Sequence, residues 1–180
     1  DYIINSNEKV AEKGHKTEEA INTIDEKLTR YLITLSSEAL SQKESEVLTN
    51  ILDSSRDLER IGDHAEALIN LNDYLQRKNV HFSNSALEEL EEIYRQTSEF
   101  VKDALESVEN NDLEMAESLI ERHEAINKME RVLRKTHIKR LNNGECSTQA
   151  GVNFIDIISH YTRVSDHAMN LAEKVLAEQI

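Results

Sequence analysis

The chain has 180 residues, no proline, four glycines and 4% aromatic residues. Its formal net charge of −14 repels phosphate backbones and anionic lipid headgroups, which argues against nucleic acid as a partner. The single cysteine, Cys146, excludes an internal disulfide. A chain of this length forms one domain or two small ones, and a proline-free composition rich in strong helix formers is typical of long α-helices.

Helix boundaries are marked by capping residues and by polar breaks. Three starts are predicted where a cap-type residue precedes glutamate by three positions, namely Asn5 with Glu8, Ser41 with Glu44 and Ser85 with Glu88. Breaks fall at 110–112 and at 142–144, where Gly144 occupies the usual position just past a helix end. We therefore predict an all-α fold of five helices: 6–39, 42–77, 85–109, 112–142 and 147–178.

The sequence also repeats internally. Residues 124–130 (EAINKME) match residues 19–25 (EAINTID) at an offset of 105 positions, and residues 163–168 (RVSDHA) match residues 60–65 (RIGDHA) at an offset of 103. We interpret 85–180 as a three-helix repeat and 1–77 as a first repeat that lacks nearly all of its first helix, together forming one domain. By this interpretation the chain is expected to be a fragment of a larger protein.

Small residues occupy matched positions in the third helix of each repeat. These residues are Gly62, Ala65, Ser165 and Ala168. A glycine inside a helix costs about 1 kcal/mol relative to alanine, so it is expected where another backbone approaches closely. We predict that the two third helices cross at these four residues, which form a packing seam.

Two polar stripes lie beside this predicted seam. Glu59 and Asp63 are four residues apart and share one helix face, where a cation would relieve their repulsion. Asp166 is the repeat partner of Asp63, whereas a threonine replaces Glu59 in the second repeat. The second stripe alternates in charge, so ordinary ion pairing could satisfy it without a ligand. Its members are Asp53, Asp57, Arg60 and His64, repeated as Asp156, His160, Arg163 and His167.

The runs ERIGDHAEAL at 59–68 and TRVSDHAMNLAE at 162–173, on a duplicated three-helix unit, resemble the PhoU family. The resemblance implies a tandem repeat of antiparallel three-helix bundles and a regulatory role in phosphate homeostasis, without catalysis or a direct small-molecule substrate. It also implies metal binding through paired acidic residues, here Glu59, Asp63 and Asp166, with Glu18 and His123 as weaker candidates. Since one pair alone is complete, the expectation is a single weak site for a divalent or iron-type ion, or none.

The family occurs as free-standing phosphate-signalling proteins and as domains fused behind sodium/phosphate cotransporter-like membrane proteins. The stretch LSQKESEVL at 40–48 lacks the proline usual in the free-standing type, which favours the fused type. The expected partner is then an N-terminal membrane transporter domain of the same protein, at the cytoplasmic face of the membrane. A free-standing regulator and a ligand-free structural module remain the alternatives.

One apolar stripe of the first repeat lacks a covering helix in this interpretation. The stripe consists of Ile21, Ile24, Leu28 and Leu32, at spacings of three and four residues. An uncovered apolar groove is usually an interaction site. We therefore expect self-association through it, as a two-fold homodimer.

Overall fold

The structure is a computed structural model that describes residues 8–177. Within this range the chain forms five α-helices and no strand, which confirms the predicted all-α fold. The helices are α1 (Glu8–Ser36), α2 (Gln42–Arg77), α3 (Asn84–Asn110), α4 (Leu113–Asn142) and α5 (Thr148–Leu176). None of the five has an apolar segment sufficient to span a bilayer.

The caps explain where these helices begin. At α2 the predicted capping box is confirmed: the Ser41 hydroxyl accepts from the Glu44 N–H, and the Glu44 carboxylate accepts from the Ser41 N–H at 2.8 Å. The prediction for α3 is wrong, because Ser83 rather than Ser85 is the cap and accepts from the Ala86 N–H. Asn5 of the first predicted pair lies outside the described residues.

The break between α4 and α5 also forms as predicted. Helix α4 ends at Asn142, and Gly144 two residues later has a φ of +72°, which glycine adopts without strain. The Gly144 N–H donates to the Leu141 carbonyl, so this end of α4 is satisfied locally. Ser147 then caps α5, and its hydroxyl accepts from the Ala150 N–H.

Helix α5 is the centre of the fold, because it packs against α2, α3 and α4, whereas α1 packs mainly against α2. Near the start of α5, Phe154, Ile157, Ile158 and Tyr161 form a core with residues of α2, α3 and α4. Towards its end, Ala168 and Ala172 form a second core with α3 and α4. The second repeat therefore has a complete three-helix core, and the described part of the first repeat consists of α1 and α2.

The two third helices cross near the predicted seam, where His64 contacts His160 and Asp57 contacts His167, but Gly62 does not form this contact. A methyl group added at Gly62 would lie 3.3 Å from Ile21 Cδ1, so this glycine permits the close approach of α1 rather than of α5. Ser165 and Ala168 are fully buried, and Ala168 packs in the core formed with α3 and α4. Ala65 is exposed and lines a cavity of about 420 Å³ with residues of α1, α2, α3 and α5. Gly62 and Ala168 therefore pack within their own repeats, because a periodic stripe reveals a covered face but not the covering helix.

Candidate functional site

The second polar stripe forms several of the polar contacts between α2 and α5. Asp57 of α2 is nearly buried, and its Oδ1 accepts hydrogen bonds of 2.9 Å from His167 Nδ1 and from Asn170 Nδ2. Lys174 Nζ lies 3.6 Å from the other Asp57 oxygen and donates to Ser54 at 3.1 Å. Asp57 is therefore paired across the repeats, whereas Asp53 and Arg60 form ion pairs within α2. Asn170 and Lys174 were missed from the sequence, although they follow His167 by three and seven residues on the same helix.

Two histidines meet at the same contact. His64 Nδ1 of α2 lies 3.1 Å from His160 Nδ1 of α5, and the His64 ring is centred 5.8 Å from that of His167. The repeat offset of 103 maps Asp57 onto His160 and His64 onto His167. The pairs Asp57–His167 and His160–His64 are therefore equivalent contacts, as in an interface with two-fold symmetry.

The electrostatic surroundings keep this histidine pair uncharged. Burial, followed by the neighbouring His160, His167 and Arg163, lowers the pKa of His64 to about 4. Burial also lowers the pKa of His160. Both rings are consequently neutral at pH 7, and one Nδ1 donates a hydrogen bond that the other accepts.

The predicted carboxylate positions of the first repeat lie where α1 meets α2. Burial raises the pKa of Glu59, and the negative charges of Asp63, Asp25 and Glu18 raise it further. Arg60 partly offsets this repulsion, with nitrogens 3.5 Å from Glu59 and 3.2 Å from Asp63. Four carboxylates are thus close enough to influence one another at this face.

The corresponding positions of the second repeat form direct side-chain contacts instead. His123 Nε2 lies 2.8 Å from Asp166 Oδ1, and Asn127 Nδ2 lies 3.2 Å from the same histidine nitrogen. Thr162 donates to the Ile158 carbonyl at 3.0 Å and not to either of these side chains. Over residues 8–177 no three His, Cys, Asp or Glu side chains are arranged as a ready-made metal site.

An open apolar groove runs between α1 and α2, with a volume of about 1000 Å³. Its apolar lining includes Ile24, Leu28, Val47, Ile51 and Leu58. Ile24 is 62% exposed, whereas Leu32 of the predicted stripe is buried. We call this surface the α1–α2 groove.

The repeat shows what kind of element such a groove accepts. Ile24, Leu28, Ile51 and Leu58 correspond to Met129, Leu133, Phe154 and Tyr161 in the second repeat. Leu133, Phe154 and Tyr161 belong to the core in which Leu90 and Ile93 of α3 are buried, and Met129 packs against it. The α1–α2 groove therefore presents the positions that a helix covers in the second repeat.

Two matched helical units, a polar contact between them and an open apolar groove define an all-α domain built by internal duplication. The family model described as "PhoU domain" matches residues 1–71 and 90–175. The chain belongs to the PhoU domain family, as its sequence motifs indicated.

Individual relatives agree with this assignment. The chain is 30% identical over 176 residues to the "Phosphate-specific transport system accessory protein PhoU homolog 1" of Thermotoga maritima, covering 98% of this chain and 68% of that protein. The crystal structure of PhoU from Pseudomonas aeruginosa has the same fold, with a TM-score of 0.86 at 20% identity over 99% of this chain and 86% of that one. The phosphate transport system regulatory protein PhoU of Streptococcus pneumoniae has a TM-score of 0.77 at 21% identity, covering 93% and 78%.

Proposed function

We propose that this chain is a regulatory domain of a phosphate transport system, which acts by binding a partner rather than by catalysis. The proposal is supported by membership of the PhoU domain family and by the Thermotoga relative, whose name places it in a phosphate-specific transport system. The observation that carries the binding role is the α1–α2 groove, because exposed apolar surface of this extent on a monomer usually marks an interaction site.

The transport role is tested by phosphate uptake in cells that express the intact protein. Ile24→Glu with Ile51→Glu places two charges in the groove and should abolish the response of uptake to external phosphate. Val132→Glu is the matched control, because Val132 is 56% exposed on α4, outside the groove. Unchanged uptake after deletion of the whole chain would contradict the proposal.

The finer proposal is that the domain sits at the cytoplasmic face of the membrane, fused to an N-terminal domain of the sodium/phosphate cotransporter type. It is supported by the proline-free stretch at 40–48. The reading frame upstream of Asp1 decides this point: several apolar segments of about 20 residues support the fused form. A start codon without such segments would establish the free-standing form.

We further propose that the isolated chain forms a homodimer through the α1–α2 groove. A two-fold contact would bury Ile24 and Ile51 of both copies against each other, which is the commonest closed arrangement of like chains. Sedimentation velocity over a concentration series should show a dimer for the parent chain and for Val132→Glu, and a monomer for Ile24→Glu. A parent chain that stays monomeric at high concentration refutes this proposal alone.

A single weak cation site in the first repeat is the last element of the proposal. Glu59 and Asp63 would hold the ion, Glu18 would assist, and the mutual repulsion of these carboxylates supports it. Hard divalent cations prefer such oxygen ligands. In the second repeat the direct contact between His123 and Asp166 makes those positions weaker candidates.

Thermal unfolding with and without added divalent ions tests this site. A bound cation raises the melting temperature of the parent chain, because it stabilises the folded state. Glu59→Gln with Asp63→Asn should remove this rise. Equal melting temperatures with and without metal in the parent chain would refute the site.

A further inference from the structure

A cavity of about 420 Å³ lies where the two repeats meet, and we call it the inter-repeat cavity. Ile61 of α2 and Val164 of α5, which are equivalent by the repeat offset of 103, both line it. Helices α1 and α3 contribute Val10 and Thr97 to the same lining. An apolar cavity of about 150 Å³ already binds benzene, so this one has room for a molecule of about two fused aromatic rings.

The lining of the inter-repeat cavity is uncharged. None of the described residues that line it is acidic, basic or a histidine. Two aromatic rings form part of its wall: Tyr94 and Tyr161 have ring centres 6.1 Å apart, with the planes tilted by 55°. Burial raises the pKa of Tyr161, so its phenol stays protonated at pH 7. Because a charged molecule would lose its hydration without gaining a counter-charge, the lining selects an uncharged and largely apolar ligand.

One polar group of this lining lacks a partner in the described part of the chain. Thr97 is 2% exposed, and its Oγ1 forms no hydrogen bond within residues 8–177. The helical residues Thr17 and Thr162 instead donate to the carbonyl four positions earlier, at 2.9 Å and 3.0 Å. A buried hydroxyl without a partner is costly, and threonine has two accessible χ1 rotamers in a helix. The Thr97 hydroxyl can therefore turn into the cavity and bond to a ligand there.

We propose that the inter-repeat cavity binds a small uncharged aromatic molecule with a single hydroxyl group, which hydrogen-bonds to Thr97 and packs against Tyr94 and Tyr161. Aromatic rings gain from offset and edge-to-face contacts with one another, so a flat ring system suits this wall better than an aliphatic chain. The ligand would contact both repeats at once. This site is distinct from the α1–α2 groove, because the two share no described lining residue.

Equilibrium dialysis of the chain with three probes of similar size tests the site. 1-Naphthol is uncharged at pH 7 and should bind saturably at a single site per chain. Naphthalene lacks the hydroxyl and should bind about fivefold more weakly, which is the effect of one net hydrogen bond. 1-Naphthoate is charged and should not bind. Thr97→Val keeps the shape of the side chain without its hydroxyl, so this variant should bind 1-naphthol only as weakly as naphthalene.

Substitutions at the rim and in the groove separate this site from other causes. Ala65→Phe on α2 and Ser98→Phe on α3 alter exposed lining residues, so the fold should tolerate both, and each should abolish 1-naphthol binding. Ile24→Glu with Ile51→Glu in the α1–α2 groove should leave it unchanged. The proposal is overturned if 1-naphthol does not bind saturably, if binding survives in both phenylalanine variants, or if the groove variant abolishes it. It is also overturned if Thr97→Val retains the preference for 1-naphthol over naphthalene.

Discussion

The two repeats fill the same packing position by opposite choices of side-chain size. Gly14 of α1 faces Ile69 of α2, and a methyl group added to Gly14 would lie 2.3 Å from Ile69 Cδ1. The repeat equivalents of these residues are Leu119 and Ala172, both fully buried in one core cluster. Where the first repeat combines glycine with isoleucine, the second combines leucine with alanine. We predict that the first repeat tolerates the side-chain sizes of the second, with leucine at position 14 and alanine at position 69, better than either change alone.

The magnitudes follow from the contacts. Gly14→Leu alone should destabilise the chain by about 1–3 kcal/mol through overpacking, less the roughly 1 kcal/mol gained by removing a helical glycine. Ile69→Ala alone should cost about 2 kcal/mol, the low end for such truncations, because Ile69 borders a cavity that is already open. In the double variant the new leucine enters the space vacated by isoleucine. Its loss of stability should therefore be smaller, by at least about 1 kcal/mol, than the sum of the losses of the two single variants.

Urea unfolding followed by circular dichroism at 222 nm measures all three variants. As a control, Gly14→Leu combined with Val132→Ala on the distant exposed face of α4 should be additive within about 0.5 kcal/mol. If the Gly14–Ile69 double variant is equally additive, the two side chains do not share a space. The equivalence of Gly14 with Leu119 would then have no packing consequence, and the reasoning would be refuted.

Three further predictions concern a cap, a buried histidine and a helix contact. Ser83→Ala should cost about 1 kcal/mol in urea unfolding and Ser85→Ala much less, since Ser83 is the cap of α3; equal costs would contradict this assignment. Burial lowers the pKa of His137 below its ordinary 6.5, so the unfolded chain binds the proton more readily and stability should fall as pH drops below 6.5. His137→Gln should reduce this dependence of stability on pH, and an unchanged slope would refute the prediction. Gly62→Leu should lower stability by about 1–3 kcal/mol, because the new side chain meets Ile21 of α1. Ile21→Ala should relieve part of that loss in a double-mutant cycle, and additive losses would contradict this contact.

The helices could be predicted because their signals are local. The capping box at Ser41 and the glycine at position 144 act through bonds to residues a few positions away, so the sequence contains all the information required. Ser85 failed as a cap because Ser83 offers the same hydroxyl two residues earlier. The sequence alone cannot separate two such candidates, since the backbone conformation at the start of the helix decides between them.

The arrangement of the helices could be predicted only in part. The stripe through Gly62 and Ala65 indicated a packed face, but α1 covers Gly62, and the polar stripe forms contacts with α5 beside the apolar core. A charged stripe is normally solvated, so its role between the repeats had no local signal. The matched polar positions of the two copies were the available clue. A pair such as Asp57 and His167 follows from the repeat only if the two third helices meet through equivalent faces.

The central position of α5 has a consequence for the order in which the protein can assemble during synthesis. The side-chain hydrogen bonds that join α5 to α2 connect residues 75 to 120 positions apart in the chain. Until α5 leaves the ribosome, α1–α2 and α3–α4 can form only as helical hairpins with exposed apolar faces, because both core clusters require residues of α5. Nascent chains that end before residue 148 should therefore be aggregation-prone and depend on chaperones. Release of α5 would convert two separate hairpins into one cooperative unit.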